Sequence, residues 1–368
     1  MLPETLYKTA SVDLLVKRMT PLALEVEKDF SRGVAIYGAG FVGTWAVSYL
    51  QSIGATVTHF IDRDQKKTGT KIHGIPVILP TDPAAASTPS IFIAARHAVK
   101  SVQSAMAGQN YNLISFDGYY VVRNYHKFSF VRDNFFTDGK SVETYNAILT
   151  AMLTSSLDSC LSVMEKDMYF ALPEFSGNFD EIFVDAGAFV GDTVERFFWE
   201  NLGTFRHLYA FEPGSRQFQA MEQRISRLKS EWAIGEDYIT AVRAGLADQN
   251  GRRMFSFVDD SPLRHGLTAE DLDKHNSDSI EVYALDSFLK GKPVTFIKAD
   301  VEGMEMELLK GAQATISRFK PKLAICVYHY PSDLIEVAEF VRSLVPEYKF
   351  SLRLHAPIFG DFVLYCYC

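Results

Sequence analysis

The chain has 368 residues, enough for about two domains of ordinary size, each with its own core. Its formal net charge is −8, and the sequence has no basic run with interleaved aromatic residues, which argues against a nucleic-acid partner. No segment approaches the roughly 18 uninterrupted apolar residues of a membrane span. Charges interrupt the apolar residues at the N-terminus, unlike a signal peptide, so we expect a cytoplasmic protein with no membrane partner.

The first 122 residues indicate a helical arm followed by an α/β domain. Residues 1–30 have helical periodicity, and the pattern changes at Ser31. Residues 31–122 alternate apolar runs with helical segments, which predicts a Rossmann-like domain with a small parallel sheet. Its predicted elements are a strand from Val34, a helix over 44–53, and strands over 56–61, 91–95 and 113–116.

The remaining residues predict a helical bridge and a second α/β domain. Residues 123–175 show helical periodicity without strand signals, and strand character returns in the domain 176–368. The last two predicted strands are too close in sequence for a crossover helix, so we expect them to pair antiparallel. The predicted strands start at Ile182 and continue with 208–211, 239–243, 294–297, 323–327, 348–354 and 362–367. The predicted fold class is therefore α/β with two Rossmann-like units.

The four cysteines give no sign of a metal centre or a disulfide framework. Cys366 and Cys368 are close neighbours, separated by one residue, while Cys160 and Cys326 are isolated. This spacing matches no common metal-ligand pattern. We expect free thiols in a reducing compartment.

A complete G-x-G-x-x-G motif lies in the first domain. VAIYGAGFVG carries Gly38, Gly40 and Gly43, and Asp62 follows Gly43 by 19 residues, near the spacing used for a ribose. Taken alone, this second candidate nucleotide site suggests NAD. The following FIDRDQKKTGTKIHGIPVILP, however, is similar to the sugar-nucleotide-binding domain of certain acyltransferases and polysaccharide-synthesis proteins. Two interpretations stay open: a nucleotide-sugar site that cradles phosphate, or a scaffold without a ligand.

A different glycine turn, IFVDAGAFVGDT, begins the second domain. Asp185 precedes Gly187 and Gly191, and Asp192 or Thr193 is in position to cap the next helix. The turn lacks the first glycine of the dinucleotide motif, and the carboxylate before it would repel a pyrophosphate. Glu212 follows Asp185 by 27 residues, at the end of the next strand, where it can accept hydrogen bonds from a ribose diol. These features favour a cationic ligand without phosphate, such as S-adenosylmethionine.

Further candidates for the chemistry follow the fourth and fifth strands of this domain. IKADVEGMEMELLKGA places Asp300 and Glu302 before a helix predicted from Glu305, and LAICVYHYPSD places His329 after the next strand. Any of Asp300, Glu302 and His329 could take a proton from an acceptor hydroxyl, and we expect His329 to titrate near its ordinary pKa of about 6.5. Structural alternatives are a helix N-cap for Asp300 and a backbone-bonded loop residue for His329. Two carboxylates are too few ligands to predict a metal site.

Four motifs of the second domain resemble, in order and spacing, those of the FkbM-like family of S-adenosylmethionine-dependent methyltransferases. They are VDAGAFVGDT, AFEPGSRQF, AGLADQNG and IKADVEGMEMELLKGA, and the resemblance covers about residues 166–368. It implies a class I methyltransferase fold that transfers a methyl group to a hydroxyl of a sugar or polyketide-type small molecule. It also implies that the long loop 258–278 helps to cover the substrate.

The resemblance also assigns residues to the cofactor. Asp185, Gly187 and Gly191 would form the cofactor turn, with Thr193 beside it, and Glu212 would bind the ribose. The segment from Leu246 to Asp248 would border the adenine. Asp300 and Glu302 would lie at the reaction end, so that Asp300 belongs to both the cofactor and the catalytic set.

Two other classes of function remain compatible with the sequence. The chain could bind a nucleotide-sugar through its first domain and retain a methyltransferase shell without activity. It could also be an NAD(P)-dependent oxidoreductase that uses Gly38 to Asp62, although no Tyr–Lys or His–Asp pair for hydride transfer is apparent after this motif. The leading prediction is an O-methyltransferase whose acceptor is a carbohydrate or another small molecule.

Overall fold

A computed structural model of the protein describes residues 11–106, 111–257, 265–267, 277–356 and 360–368. These residues form two compact units. The first runs to Asn134 and includes Val142–Met164, and the second contains Phe135–Ser141, Glu165–His355 and Asp361–Cys368. Each unit has its own β-sheet, as predicted for two α/β units.

The sheet of the first unit has the strand order β3-β4-β2-β1-β5-β6. All neighbouring strands are parallel except β3 and β4. The strands are β1 (Val34–Tyr37), β2 (Val57–Ile61), β3 (Lys71–Ile72), β4 (Ile75–Ile78), β5 (Ser90–Ile93) and β6 (Asn112–Ser115). The four predicted strands are confirmed within one or two residues at each end.

The β3–β4 hairpin was not predicted. Its two-residue turn consists of His73 and Gly74, which both have positive φ, at 50° and 76°. Two left-handed residues are the signature of a type I′ turn, whose twist matches that of a β-hairpin. Asn-Gly or Asp-Gly would have signalled this turn, whereas His-Gly is a weak signal.

Helices cover the first unit's sheet and continue through the predicted bridge. They are α1 (Val12–Glu27), α2 (Phe41–Ser52), α3 (Val99–Ala105), α4 (Phe116–Arg123), α5 (Tyr125–Asn134), α6 (Gly139–Thr154) and α7 (Asp158–Leu161). Ala23 and Val26 of α1 lie in the same buried cluster as Val34 and Ile36 of β1. The N-terminal helix therefore packs into the core of the first unit.

The main sheet of the second unit has the strand order β16-β17-β15-β14-β7-β8-β9. Its strands are β7 (Ile182–Ala186), β8 (His207–Phe211), β9 (Ile239–Val242), β14 (Phe296–Ala299), β15 (Lys322–Cys326), β16 (Lys349–Leu354) and β17 (Phe362–Tyr367). Strands β14, β15, β7, β8 and β9 pair parallel, and β17 pairs antiparallel with both β15 and β16. The predicted parallel sheet with a final antiparallel hairpin is confirmed.

A second, four-stranded sheet belongs to this unit, with the order β10-β13-β11-β12. Its strands are β10 (Gly245–Leu246), β11 (Gly251–Phe257), β12 (His265–Leu267) and β13 (Ser277–Tyr283). The segment 258–278 was predicted to be one long loop, and this is wrong where β12 and the start of β13 pair with β11. Residues 258–264 and 268–276 lie outside the described residues.

The helices of the second unit are α8 (Asp192–Glu200), α9 (Ser215–Glu231), α10 (Leu285–Leu289), α11 (Glu305–Gly311), α12 (Gln313–Phe319) and α13 (Asp333–Leu344). The core contains stacked aromatic rings: the ring of Phe183 lies 4.6 Å from that of Phe197 and 4.6 Å from that of Phe296. This packing joins α8 to β7 and β14, and so holds the strand ends that carry the candidate site. Within the described part of the chain, no helix combines the length and apolarity that a bilayer span needs.

Candidate active site

The glycine turn after β7 requires glycine at two positions. Gly187 has φ of 76°, and a Cβ there would lie 1.9 Å from the backbone oxygen of Asp300. Its N–H and that of Ala188 donate to the carbonyl of Phe211 at the end of β8, at 3.0 and 2.9 Å. Gly191 has φ of 78° and precedes α8. The turn thus sits tightly between the ends of β14 and β8, where only glycine fits.

The predicted cap of α8 is wrong. Gly191 is the N-cap, and no side chain caps the helix. Asp192 lies instead in the first turn, where its carboxylate is favourable to the helix dipole, and Thr193 is buried beside it. The left-handed conformation of Gly191 sets the start of the helix one residue earlier than the sequence suggested.

Glu212, directly after β8, faces the glycine turn. One carboxylate oxygen accepts the Phe189 N–H at 2.9 Å, and the other accepts the Gly214 N–H at 2.7 Å. The side chain is buried, which raises the pKa of Glu212 to about 7 against the opposing effect of these two N–H donors. Each oxygen keeps a second lone pair, so the carboxylate can still accept from a diol beside the turn.

Asp185 forms a buried ion pair that the sequence did not reveal. The Nζ of Lys298 lies 3.0 Å from Oδ1 of Asp185, and the two side chains are only 3% and 0% exposed. Burial raises the pKa of Asp185, and the Lys298 charge opposes that rise. The carboxylate that was expected to repel a pyrophosphate is therefore paired with Lys298 inside the sheet.

Lys298 is the principal site residue missed by the sequence analysis. It lies in β14 opposite Asp185 of β7, and its Nζ also donates to the carbonyl of Gly187 at 2.6 Å. Burial lowers its pKa, but the charges of Asp185 and Asp300 outweigh that effect and the pKa is raised. Lys298 could have been identified in the sequence from its position two residues before Asp300, since alternate residues of a strand share a face.

Asp300 is held by two tyrosines from distant parts of the chain. Tyr169 donates to Oδ2 at 2.8 Å, and Tyr328 donates to Oδ1 at 3.0 Å. Burial favours the neutral carboxyl, but the charges of Lys298 and His329 outweigh it and hold the pKa of Asp300 below its ordinary value. Asp300 is not the N-cap of α11, which is Met304.

His329 is surrounded by carboxylates. Its Nδ1 lies 3.2 Å from Oε1 of Glu305, and its Nε2 lies 3.5 Å from Oε2 of Glu302 and 3.8 Å from Oδ1 of Asp300. Burial lowers the pKa of His329, but Glu305, Glu302 and Asp300 together raise it well above its ordinary value. The expected value near 6.5 is therefore wrong, since the sequence did not show that three carboxylates converge on the ring. These contacts also replace the alternative of a histidine that holds a backbone carbonyl.

We call Asp300, Glu302, Glu305 and His329 the His329 cluster. Its members come from the ends of β14 and β15 and from the start of α11, and their exposure increases outward: Glu305 is 2% exposed, Asp300 23% and Glu302 47%. One ligand atom from each of Asp300, Glu305 and His329 lies within 4.8 Å of the others, close enough to hold a divalent cation. Only two of these carboxylates, Asp300 and Glu302, were expected here from the sequence.

The residues predicted to border an adenine lie on the second sheet of this unit. Leu246 is a buried residue of β10, and Asp248 follows that strand. The carboxylate of Asp248 pairs with Arg253 of β11 at 2.7 Å and is 38% exposed. Their adenine contact stays a prediction.

The first unit's glycine turn is also tightly built. Gly38 has φ of 105°, a Cβ on Gly43 would lie 1.9 Å from the carbonyl oxygen of Gly38, and Gly40 is the N-cap of α2. Asp62 accepts hydrogen bonds from the N–H groups of Ala39 and Asp64, and Lys67 lies 3.2 Å away. Asp62 therefore ties the turn to the end of β2, and a ribose contact there stays a prediction.

The second unit is similar to known methyltransferase domains. Residues 185–352 match the family model of the methyltransferase FkbM domain. The chain is also similar to the crystal structure of methyltransferase FkbM from Methylobacillus flagellatus KT, with 22% identity, 97% of this chain and 98% of that chain covered, and a TM-score of 0.59. At this identity the likeness shows the fold. A search of curated proteins found no match.

Two shorter structural matches are weaker. An rRNA methylase from Streptococcus thermophilus is 17% identical over 52% of this chain and 87% of that chain, with a TM-score of 0.33. Fibrillarin from Aeropyrum pernix, in complex with natively bound S-adenosyl-L-methionine, is 9% identical over 54% of this chain and 70% of that chain, with a TM-score of 0.34. Both TM-scores lie below 0.5, so neither match supports an argument about the function of this chain.

Proposed function

Since residues 185–352 match the family model of the methyltransferase FkbM domain, we propose that the second unit transfers a methyl group from S-adenosylmethionine to a hydroxyl of a sugar or a related small molecule. The observation that carries this proposal is the position of Glu212 across the glycine turn from Asp300. Glu212 accepts the Phe189 N–H of the turn, while Gly187 packs against the backbone of Asp300. Glu212 and the His329 cluster thus flank one turn, at the carboxyl ends of the two parallel strands that pair with β7 on either side.

The charge of the site suits this donor. Lys298 compensates Asp185, and the protonated His329 compensates one carboxylate of its cluster, so the excess negative charge lies in the other two carboxylates and in Glu212. S-adenosylmethionine has a sulfonium, an ammonium and a ribose diol, and it has no phosphate. Its positive end would lie toward the cluster and its ribose toward Glu212, an orientation that a pyrophosphate-bearing dinucleotide would not favour.

The reaction is an in-line displacement. The acceptor oxygen forms a bond to the methyl carbon as the carbon–sulfur bond breaks, S-adenosylhomocysteine leaves, and the hydroxyl proton passes to a base. The candidate bases Asp300, Glu302 and His329 lie within one cluster, with Nε2 of His329 facing both carboxylates. We assign proton removal to the Asp300 carboxylate, whose lowered pKa keeps it ionised, because the raised pKa of His329 keeps that ring protonated.

Titration calorimetry with S-adenosylmethionine and S-adenosylhomocysteine tests the donor site. Glu212→Gln should weaken binding roughly 10- to 100-fold, because a hydrogen bond to a charged group contributes about 1.5–3 kcal/mol. Glu222→Gln, at an exposed position of α9, is the matched control and should bind as the wild type does. Failure of the wild type to bind either ligand, or equal affinities for the two variants, would refute the donor assignment.

The acceptor is tested by transfer of a labelled methyl group to a panel of free sugars, nucleotide-sugars and polyketide-type alcohols. We expect an alkali-stable methyl ether on one hydroxyl, since ethers, unlike methyl esters, resist hydrolysis by base. Asp300→Asn should reduce the rate by at least about 10²-fold, the usual contribution of a general base, with donor binding retained. Full activity in this variant would remove Asp300 from the role of base.

A further inference from the structure

Tyr169 directs its hydroxyl at Asp300 from a buried position. The residue is 7% exposed, and its Oη donates to Oδ2 of Asp300 at 2.8 Å. The same Oη lies 3.6 Å from Sγ of Cys326, and Nζ of Lys298 lies 5.1 Å from the centre of the ring. Burial and the charge of Asp300 raise the pKa of Tyr169 well above its ordinary value. The phenol therefore keeps its proton and stays a donor.

The backbone of Tyr169 has a conformation that is uncommon for an aromatic residue. Its φ is 69°, in the left-handed region, which a bulky side chain occupies only where its surroundings impose it. Here the Tyr169 N–H donates to Oη of Tyr365 in β17 at 2.9 Å, and Nε2 of His355 lies 3.0 Å from the same oxygen. The fold thus holds a strained backbone that places the phenol against Asp300, and such strain is typical of functional sites.

Tyr328 binds the other oxygen of the same carboxylate. Its hydroxyl donates to Oδ1 of Asp300 at 3.0 Å, and its ring lies 4.1 Å from that of His329 and 6.3 Å from that of Phe362. Burial raises the pKa of Tyr328 far above its ordinary value, so this phenol also keeps its proton. We call Tyr169 and Tyr328 the tyrosine pair. Because the two donors bind different oxygens, the carboxylate cannot rotate without breaking a hydrogen bond.

The tyrosine pair leaves the Asp300 carboxylate able to react. The side chain is 23% exposed, and each oxygen has a second lone pair beyond the one that its tyrosine uses. The charges of Lys298 and His329 overcome the effect of burial and keep Asp300 ionised. Within this trio, Asp300 is therefore the group that can accept a proton, while the phenols stay protonated.

We propose that the tyrosine pair positions the Asp300 carboxylate for proton removal during methyl transfer. The proposal rests on the function proposed above. The oxygen–hydrogen bond of the acceptor breaks and its proton goes to Asp300, while the carbon–oxygen bond forms and the carbon–sulfur bond breaks. Both tyrosines act through Asp300, and neither gains or loses a proton. Their hydrogen bonds keep the carboxylate in one orientation, which favours the geometry in which the proton can transfer.

A double-mutant cycle separates positioning from a general structural role. Tyr169→Phe removes one hydroxyl but keeps the buried ring and the hydrogen bond to Tyr365. It should lower kcat roughly 10- to 100-fold, with acceptor KM changed less than about threefold, because a misplaced catalytic group costs up to about 10² in rate. Tyr328→Phe should lower kcat in the same way. In an Asp300→Asn background either substitution should change kcat less than about twofold, whereas a purely structural role would give the same factor in both backgrounds.

Tyr348→Phe is the matched control, because it also removes a buried hydroxyl of the second unit, one that donates to the carbonyl of Pro321. It should leave kcat and KM unchanged. Should Tyr169→Phe fail to fold, the cycle is completed with Tyr328→Phe, whose ring is only partly buried. Equal losses of kcat with and without the Asp300 carboxylate, or wild-type kcat in either single variant, would overturn the proposal.

Urea unfolding gives a second readout that needs no activity. Tyr169→Phe and Tyr328→Phe should each lower the urea midpoint of the wild type and lose this effect in an Asp300→Leu background, where the hydroxyls have no carboxylate to bind. Equal shifts in both backgrounds would overturn the proposal, because the hydroxyls would then act through other contacts. Absence of methyl transfer in the wild type, with this coupling present, would refute the proposed function and leave the hydrogen bonds to Asp300 established.

Discussion

We expect Lys298→Met to destabilise the second unit by about 3–5 kcal/mol, the usual effect of removing one partner of a buried ion pair. In the structure, Nζ lies 3.0 Å from Asp185 and 2.6 Å from the carbonyl of Gly187, and both charged side chains are almost fully buried. Methionine matches the length of lysine but leaves the Asp185 carboxylate without its cation. The loss should shrink as the pH falls, because burial already raises the pKa of Asp185 and protonation removes the unpaired charge.

Two further variants identify the origin of the loss. Lys298→Met combined with Asp185→Asn removes both charges and should be more stable than Lys298→Met alone, since no uncompensated ion remains. Lys310→Met, at an exposed position of α11, is the matched control and should stay within about 0.5 kcal/mol of the wild type.

The assay is urea unfolding followed by tryptophan fluorescence. Of the three tryptophans, Trp199 and Trp232 lie in the second unit, so a Trp45→Phe background restricts the signal to that unit. A loss below about 1 kcal/mol for Lys298→Met, or a double variant less stable than the single one, would refute the argument that an unpaired buried carboxylate is the cause.

Three other outcomes follow from the site. Gly187→Ala should be at least about 2 kcal/mol more destabilising than Gly291→Ala in the same unfolding assay. Both glycines have left-handed φ, but a Cβ on Gly187 would lie 1.9 Å from a backbone oxygen, whereas a Cβ on Gly291 would lie no closer than 3.7 Å to another atom. Equal losses for the two variants would contradict the predicted clash. Because the pKa of His329 is raised in the folded state, its ion pairs contribute their full stability below a pH of about 6.5, and this contribution is lost as the pH rises through the folded-state pKa. In urea titrations, the free energy of unfolding of the wild type should therefore exceed that of His329→Gln by an amount that declines with increasing pH. Donor affinity measured by calorimetry should fall as the pH drops below about 7, where Glu212 becomes protonated, and this dependence should be missing from Glu212→Gln.

Apart from β3 and β4, the strands of the two main sheets were predictable, because buried parallel strands are continuous apolar runs. The runs at Val34 and Ile182 became β1 and β7, and the short connection between β16 and β17 required an antiparallel pair. The sheet of β10 to β13 was missed because two of its strands have only two or three residues and the polar segments between them resemble loops.

The candidate site was only half predictable. Glu212 and Asp300 were identified because each follows a strand and precedes a helix, a placement that sequence order reveals. Tyr169 was not identified, since nothing near it in sequence suggests that it reaches a residue 131 positions later. Glu305 was recognised as the start of a helix, but its contact with the His329 ring depends on how α11 packs against the end of β15.

The sequence by itself determined the order of the elements, the two glycine turns and the position of the acidic residues at strand ends, because these depend on local periodicity and on the conformational freedom of glycine. Only the tertiary structure decided the electrostatics. Lys298 neutralises Asp185 because β14 and β7 pair in a register that sets the two residues side by side. Three carboxylates raise the pKa of His329 because the ends of two strands and the start of one helix meet at a single point, and Coulomb energies depend on distances in space that sequence separation does not encode.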